Sequence, residues 1–256
     1  MKKEESKFIS SNIFEGMVSI RALLNAADND ISDRRIKKVY VCESKAAKRA
    51  KELSYIKARS YDYGYTIETI PDEEFDELTL GNTHGGLICE ATNRRVAPLS
   101  PSEIKDNGFY VMIEGIEDPY NFGYALRSLY AAGVNGIILS PRNWMSCAGV
   151  VCRASAGASE LMPIFTCDCK EAIDIFKKAN YSVVCSDIKN SVSAYETELN
   201  YPIFLIVGGE KRGITSSVLN KCDKIVRLDY KGDFNLALSA ASAASILAFE
   251  IMRQNQ

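Results

Sequence analysis

Three residues near the middle of the chain have the types and spacing for chemistry on a polar substrate. They are Asn121, Gly123 and Arg127, in the pattern Asn-x-Gly-x-x-x-Arg. A carboxamide can hold a hydroxyl or a guanidinium by hydrogen bonds, and an arginine keeps its charge and grips oxyanions. Gly123 lets another backbone or a ligand come close. Arg127, four residues further on, lies on the same helical face and can reach back over that gap. By themselves these residues fit a packing glycine and a surface arginine at least as well. A second cluster, Gly208-Gly209-Glu210-Lys211-Arg212-Gly213, offers bare backbone to a flat ligand and one projecting carboxylate. It is no triphosphate loop, since neither Lys-Ser nor Lys-Thr follows Gly213. Glu210 occupies the second glycine position of a dinucleotide fingerprint, so that pattern fails too.

Other chemistries lack their residues. His84 is the one histidine, and no Gly-x-Ser-x-Gly elbow is present, so a nucleophilic triad would rest on it alone. His84-Gly85-Gly86 precedes the apolar run Leu87-Ile88-Cys89 and reads as a turn entering a strand. The eight cysteines are scattered through apolar segments. The close pair Cys167 and Cys169 has no second pair or histidine nearby, so no metal is expected. A net charge of -2 over 256 residues suits one large or two modest globular domains. No apolar run reaches membrane-spanning length and no signal-peptide core follows Met1, so a cytoplasmic chain with reduced thiols is expected.

The elements that must position these groups read as α/β. Phe109 to Ile113 is a buried strand closed by Gly115. Asp118-Pro119 starts a helix, Phe122, Ala125, Leu126 and Leu129 recur along it, and Gly133 ends it. Ile137 to Leu139 completes a βαβ unit, and the loop after its first strand is where open α/β sheets place ligands. A run of small residues follows at Ala154 to Ala158. Glu171 to Ala179 is a helix, and Tyr181 to Cys185 is a strand ending at Ser186. Ile203 to Val207 empties into the glycine loop, and Ile225 to Leu228 is the last strand. A helix rich in alanine and serine runs from Leu236 to Arg253. Several wholly apolar strands indicate a parallel sheet covered on both faces.

Before it, Ser19 to Ala27 reads as a helix with a capping serine. Strands at 39–42, 66–70 and 87–91 alternate with helices at 45–59 and 71–78, a small α/β domain. The expected boundaries are 1–98 for this domain, 99–108 for a linker and 109–256 for the second domain. Basic residues crowd between Arg34 and Arg59, among them Arg35, Lys48 and Arg49. They suit contact with phosphates, and equally a solvated helix face.

Asn121-x-Gly123-x-x-x-Arg127, Gly208-x-Glu210-x-x-Gly213 and the segment Leu228 to Glu250 stand in order. Together they resemble the three motifs of the SpoU (TrmH) family of RNA ribose 2′-O-methyltransferases, within the SPOUT class. Arg153 to Ala158 with Leu161 to Ile164 look like the family's intervening region. The N-terminal part, with His84-Gly85-Gly86 near its end, is similar to the substrate-binding domain of the rRNA-modifying branch. The resemblance implies a C-terminal parallel sheet with a trefoil knot. It also implies S-adenosyl-L-methionine (AdoMet) held on backbone around Gly208, Gly209, Leu228 and Leu238, with Ser186 contributing. Asn121 and Arg127 become the catalytic pair, with Glu210 beside them, in a homodimer whose active site is completed across the interface. The substrate becomes a structured RNA, rRNA before tRNA. The third motif departs from the pattern: Ser239 stands where the family carries asparagine, and Asn235 is the other candidate for that amide. A non-catalytic RNA-binding protein on the same fold is the alternative reading.

Overall fold

Two sheets organise the computed structural model, which describes residues 12–81, 83–140, 147–209, 213–233 and 236–256. They belong to two units, Met1–Arg95 with Asn143–Leu161, and Val96–Arg142 with Met162–Gln256. In the first unit, β1 (Ile13–Glu15), β2 (Ile36–Cys42), β3 (Thr66–Ile70) and β4 (Leu87–Ala91) pair in the order β1-β4-β2-β3. Only β2 and β3 run parallel. The helix Gly16–Asp28 buries Ile20, Leu23 and Leu24 in a core shared with Phe14, Val39, Val41 and Leu87. Ser19 does not cap it. It sits inside the helix, where its Oγ donates to the Glu15 carbonyl at 2.8 Å. The basic helix expected over 45–59 is broken into Glu43–Ala46, a 3₁₀ turn Ala47–Arg49, and Ala50–Tyr63.

The run of small residues also belongs to this unit. The helices Ala148–Ala154 and Ala158–Leu161 pack on β1 and on the helix Gly16–Asp28. A Cβ at Gly149 would overlap the Ile13 carbonyl oxygen, and one at Gly157 would lie 2.6 Å from Ala22 Cβ. Small residues are what allow these backbones to meet. Sequence order puts this segment inside 109–256, whereas its packing puts it with the N-terminal sheet.

The second unit contains β5 (Ala97–Pro98), β6 (Phe109–Glu114), β7 (Gly136–Leu139), β8 (Ile164–Thr166), β9 (Ser182–Ser186), β10 (Val192–Ser193), β11 (Ile203–Gly208) and β12 (Lys224–Arg227). They form one sheet in the order β10-β12-β9-β11-β6-β7-β8-β5, with every pair parallel. Unbroken apolar runs such as Phe109–Ile113 are buried throughout, as a sheet covered on both faces requires. Alternation puts Tyr110, Met112, Phe204 and Ile206 in one core, where the Phe176 ring stacks on Phe204 at 4.1 Å. The C-terminal helix Ala240–Gln254 packs on β11 and along the helix Pro119–Ala131. The chain steps outward through β6, β7 and β8, then crosses to β9, which lies beyond β11 on the other side of β6. Such a reversal leaves a crevice at the strands' C-terminal ends.

Residues 99–108, expected as a linker, are stitched to this unit. Leu99 is buried in its core, and the Tyr110 hydroxyl donates to the Glu103 carbonyl at 2.9 Å while accepting from Lys105 N at 3.2 Å.

Candidate functional site

The ends of β9, β11 and β12 open into a cleft of about 300 Å³, closed by the C-terminal helix. Ser186, Gly208, Gly209, Leu228 and Leu238, each picked out by sequence, all line it. Register accounts for all but Leu238, which comes from just before the last helix. Parallel pairing sets Ser186 beside both Val207 and Val226, so three strands finish at one edge. Val207, Ile214, Val226 and Leu247 make the rest of the lining largely apolar. Ala240 and Ala243, nearly one turn apart, present only methyl groups to it, which leaves the volume open. The arrangement can hold a flat, mainly apolar ligand with peptide groups at its edge.

The two cleft glycines are bare for a reason internal to the protein. A Cβ on Gly208 would lie 3.0 Å from the Gly213 carbonyl carbon and from Ile214 Cγ1, where the loop returns and bridges Gly209 to Gly213. A Cβ on Gly209 would lie 2.5 Å from the Gly115 backbone. Close backbone approach therefore accounts for both, beyond any room left for a ligand.

The helix Pro119–Ala131 forms as expected, with Asp118 accepting from Tyr120 N at 3.0 Å. Phe122, Ala125, Leu126 and Leu129 are buried, Asn121 in the first turn is half-buried, and Arg127 is exposed. Neither Asn121 nor Arg127 lines the cleft of its own chain. Glu210 and Asn235 lie outside the described residues. Ser239 caps the C-terminal helix. Its Oγ accepts from Ser242 N at 3.1 Å and donates to Ser242 Oγ at 3.0 Å, so that helix starts at Ala240 and not at Leu236.

Residues 108–249, more than half of the chain, match the model of the SpoU rRNA Methylase family. The chain belongs to this SpoU family. Residues 15–97 match the model described as RNA 2′-O ribose methyltransferase substrate binding. The "Putative TrmH family tRNA/rRNA methyltransferase YacO" of Bacillus subtilis is 26% identical over 229 residues, covering 87% of this chain and 90% of that protein. A crystal structure of an RNA 2′-O ribose methyltransferase superimposes with TM-score 0.77 at 21% identity, over 94% of this chain and 88% of the other. The AdoMet-bound rRNA methyltransferase from Sinorhizobium meliloti gives TM-score 0.77 at 21% identity, over 94% and 86%. These likenesses establish the fold, an eight-stranded parallel SPOUT sheet preceded by a small α/β unit.

Sequence reasoning missed part of this SpoU-family cleft. Tyr230 lines it, and its hydroxyl accepts from Leu238 N at 3.3 Å, joining the segment after β12 to the turn before the last helix. The signal was available, because extended chain that turns Leu228 inward also turns the residue two positions on. Asp187 lines the cleft as well, with Oδ1 accepting from Lys189 N at 3.0 Å.

The basic patch needs a correction. Arg34 is a core residue, 1% exposed, with Nε donating to Glu160 Oε2 at 3.2 Å and Nη1 donating to the Thr92 carbonyl at 2.6 Å. Burial removes it from any phosphate, and a buried guanidinium persists only when paired in this way. Arg35 is exposed but donates to the Ser32 and Arg34 carbonyls. Lys48 is exposed, and Arg49 is half-buried, donating to the Gly85 carbonyl and to Glu52.

Proposed function

We propose that this SpoU-family chain transfers the methyl group of AdoMet to a ribose 2′-hydroxyl of a structured RNA, rRNA before tRNA. The observation that carries this reading is the convergence of Ser186, Gly208, Gly209, Leu228 and Leu238 on one cleft. Apolar walls with strand-end peptide groups fit an adenosyl moiety, whose faces are apolar and whose edge is polar. AdoMet, when bound, supplies an electrophilic methyl group.

The chain's own residues then have two tasks. A ribose hydroxyl is a poor nucleophile and loses its proton as the methyl arrives. Arg127, as a guanidinium, stabilises the developing alkoxide, while an RNA phosphate or water takes the departing proton. Asn121 holds that arginine or the ribose in place. A second copy of the chain completes the site. Arg127 and Asn121 are absent from their own cleft, and their helix exposes Tyr124 at 53%, while the C-terminal helix packed along it exposes Ile246 and Phe249. An exposed apolar face of that kind favours an isologous dimer.

The test is calorimetry with AdoMet and with ATP, followed by mapping of 2′-O-methyl sites in RNA from cells with and without the protein. AdoMet binding and at least one protein-dependent site are expected. Binding of ATP without AdoMet would overturn the reading, and RNA binding with no methyl mark would favour the non-catalytic alternative that the Ser239 departure allows.

A further inference from the structure

The first unit holds a cavity of its own, of about 310 Å³. The start of the helix Gly16–Asp28, the turn Thr83-His84-Gly85, Arg49 and Arg153 all line it. Both arginines are seated on bare backbone. Arg49 Nε donates to the Gly85 carbonyl at 2.9 Å, and a Cβ on Gly85, which has φ +63°, would meet its Nη2 at 2.5 Å. Arg153 lies across Gly81, where a Cβ would come within 2.9 Å of the guanidinium carbon, and its Nη1 donates to the buried Glu15 carboxylate. Among the described residues, neither Nη2 has a partner. The glycines thus fix two forks whose outer donors remain available.

His84 points to what those donors hold. It is 4% exposed and packs on Phe75, and its Nδ1 accepts the Gly86 N–H at 3.1 Å. In the neutral ring the proton therefore sits on Nε2, which no described group accepts. Burial, the largest cause, holds this imidazole below its ordinary pKa, so it serves as a neutral donor. The helix start adds more donors. Glu15, at the cap position, makes no side-chain cap because its carboxylate accepts from Leu80 N and Arg153, and the first turn carries no acidic residue. Uncapped first-turn N–H groups at the positive end of a helix favour an anion.

We propose that this cavity binds one phosphate group, and that the occupant is a backbone phosphodiester of the RNA substrate. A ring donor, the outer N–H groups of two seated guanidinium groups and a helix start together match a tetrahedral oxyanion; each guanidinium also pairs with a carboxylate, Arg153 with Glu15 and Arg49 with Glu52, so the recognition is by directed donors. Lys45, whose stem packs on Gly86, and the exposed Lys48 continue the positive charge, which favours a polyanion over an isolated ion. The identity of the occupant rests on the function proposed above; the anion site does not.

Because His84 is the one histidine, its imidazole gives a single set of NMR signals. The full chain, carrying ¹⁵N-histidine, is titrated with decauridylate and separately with inorganic phosphate, and AdoMet binding is measured on the same sample. Decauridylate is expected to shift the Nε2 resonance saturably. Arg49→Gln should weaken that binding about tenfold, the lower range for one charge-assisted contact. It should also lower the salt slope by roughly 0.7, one single-strand phosphate contact. Shifts with phosphate alone would make this a free-anion site and overturn the RNA assignment. An unmoved His84 in wild type, with RNA and AdoMet still bound, would overturn this site and leave the methyltransferase reading standing. Absence of both RNA and AdoMet binding would overturn the two together.

Discussion

Gly209 lies backbone to backbone against Gly115: a Cβ on Gly209 would be 2.5 Å from the Gly115 carbonyl carbon and oxygen and from the Glu114 oxygen. Gly115 itself has φ +71°, a conformation that other residues rarely adopt. The contact joins the ends of β6 and β11, so Gly209 and the segment leading to Asn121 and Arg127 are set by one backbone approach.

Gly209→Ala should therefore be costly. Forcing a methyl into backbone typically destabilises by about 1–3 kcal/mol, and here the strand ends would have to separate. We expect AdoMet affinity to fall at least about tenfold, corresponding to the low end of that range, with the circular dichroism spectrum retained. Gly208→Ala should be milder, because its nearest neighbours stand at 3.0 Å. Calorimetry on both variants checks the order, and wild-type affinity in Gly209→Ala would remove the role given to this contact.

Arg127→Ala should leave AdoMet binding intact and slow single-turnover methyl transfer by at least about a hundredfold, the lower range for losing one proton-transfer or charge-stabilising group. Arg127→Lys should restore little, since a point charge lacks the planar fork. If the site spans two protomers, co-refolding Arg127→Ala with the cleft-filling Leu247→Trp should recover about a quarter of wild-type activity. Half of the dimers would be mixed, each with one intact site. A mixture as inactive as its parts would mean that each chain acts alone.

Arg34→Ala should unfold the first unit more easily, by roughly 3–5 kcal/mol, because Glu160 would be left buried without its partner. Arg34→Met with Glu160→Leu should be far closer to wild type, since both charges leave the core together. Urea melts distinguish the two. Equal loss in the single and double variants would mean that shape, and not pairing, holds the site.

The thiols should divide by burial. Burial pushes Cys152 and Cys169 up to about 12, and Cys167 up to about 11, which leaves them protonated and unreactive at pH 8. Cys222 is half-buried, and a hydrogen bond from Cys185 holds it below its ordinary value. Brief treatment of native protein with a maleimide, read by mass spectrometry, should label Cys222 and the half-buried Cys147 first. Early labelling of Cys152 would contradict the packing of the small-residue helices.

Much of the second unit was legible because its signals are local. The apolar run Phe109–Ile113, closed by Gly115, suits a buried strand, Asp118 before Pro119 can cap a helix without long-range help, and Gly133 ends that helix at φ +79°. Five cleft residues were also legible, through the resemblance to the SpoU motifs; strands ending in register bring Ser186, Gly208, Gly209 and Leu228 to one edge, and Leu238 reaches it from just before the last helix. Tertiary structure alone decided the rest. Arg34 and Lys48 look alike in sequence, yet one is sealed in the core by a carboxylate 126 positions away and the other is exposed. The helix Ala148–Ala154 follows a strand of the second unit, yet Gly149 sets it against β1 of the first. Ser239 stands where the family's third motif has asparagine, and only the structure shows that its hydroxyl caps the last helix. Each outcome depends on which distant backbone or charge arrives alongside, and neither spacing nor periodicity carries that information.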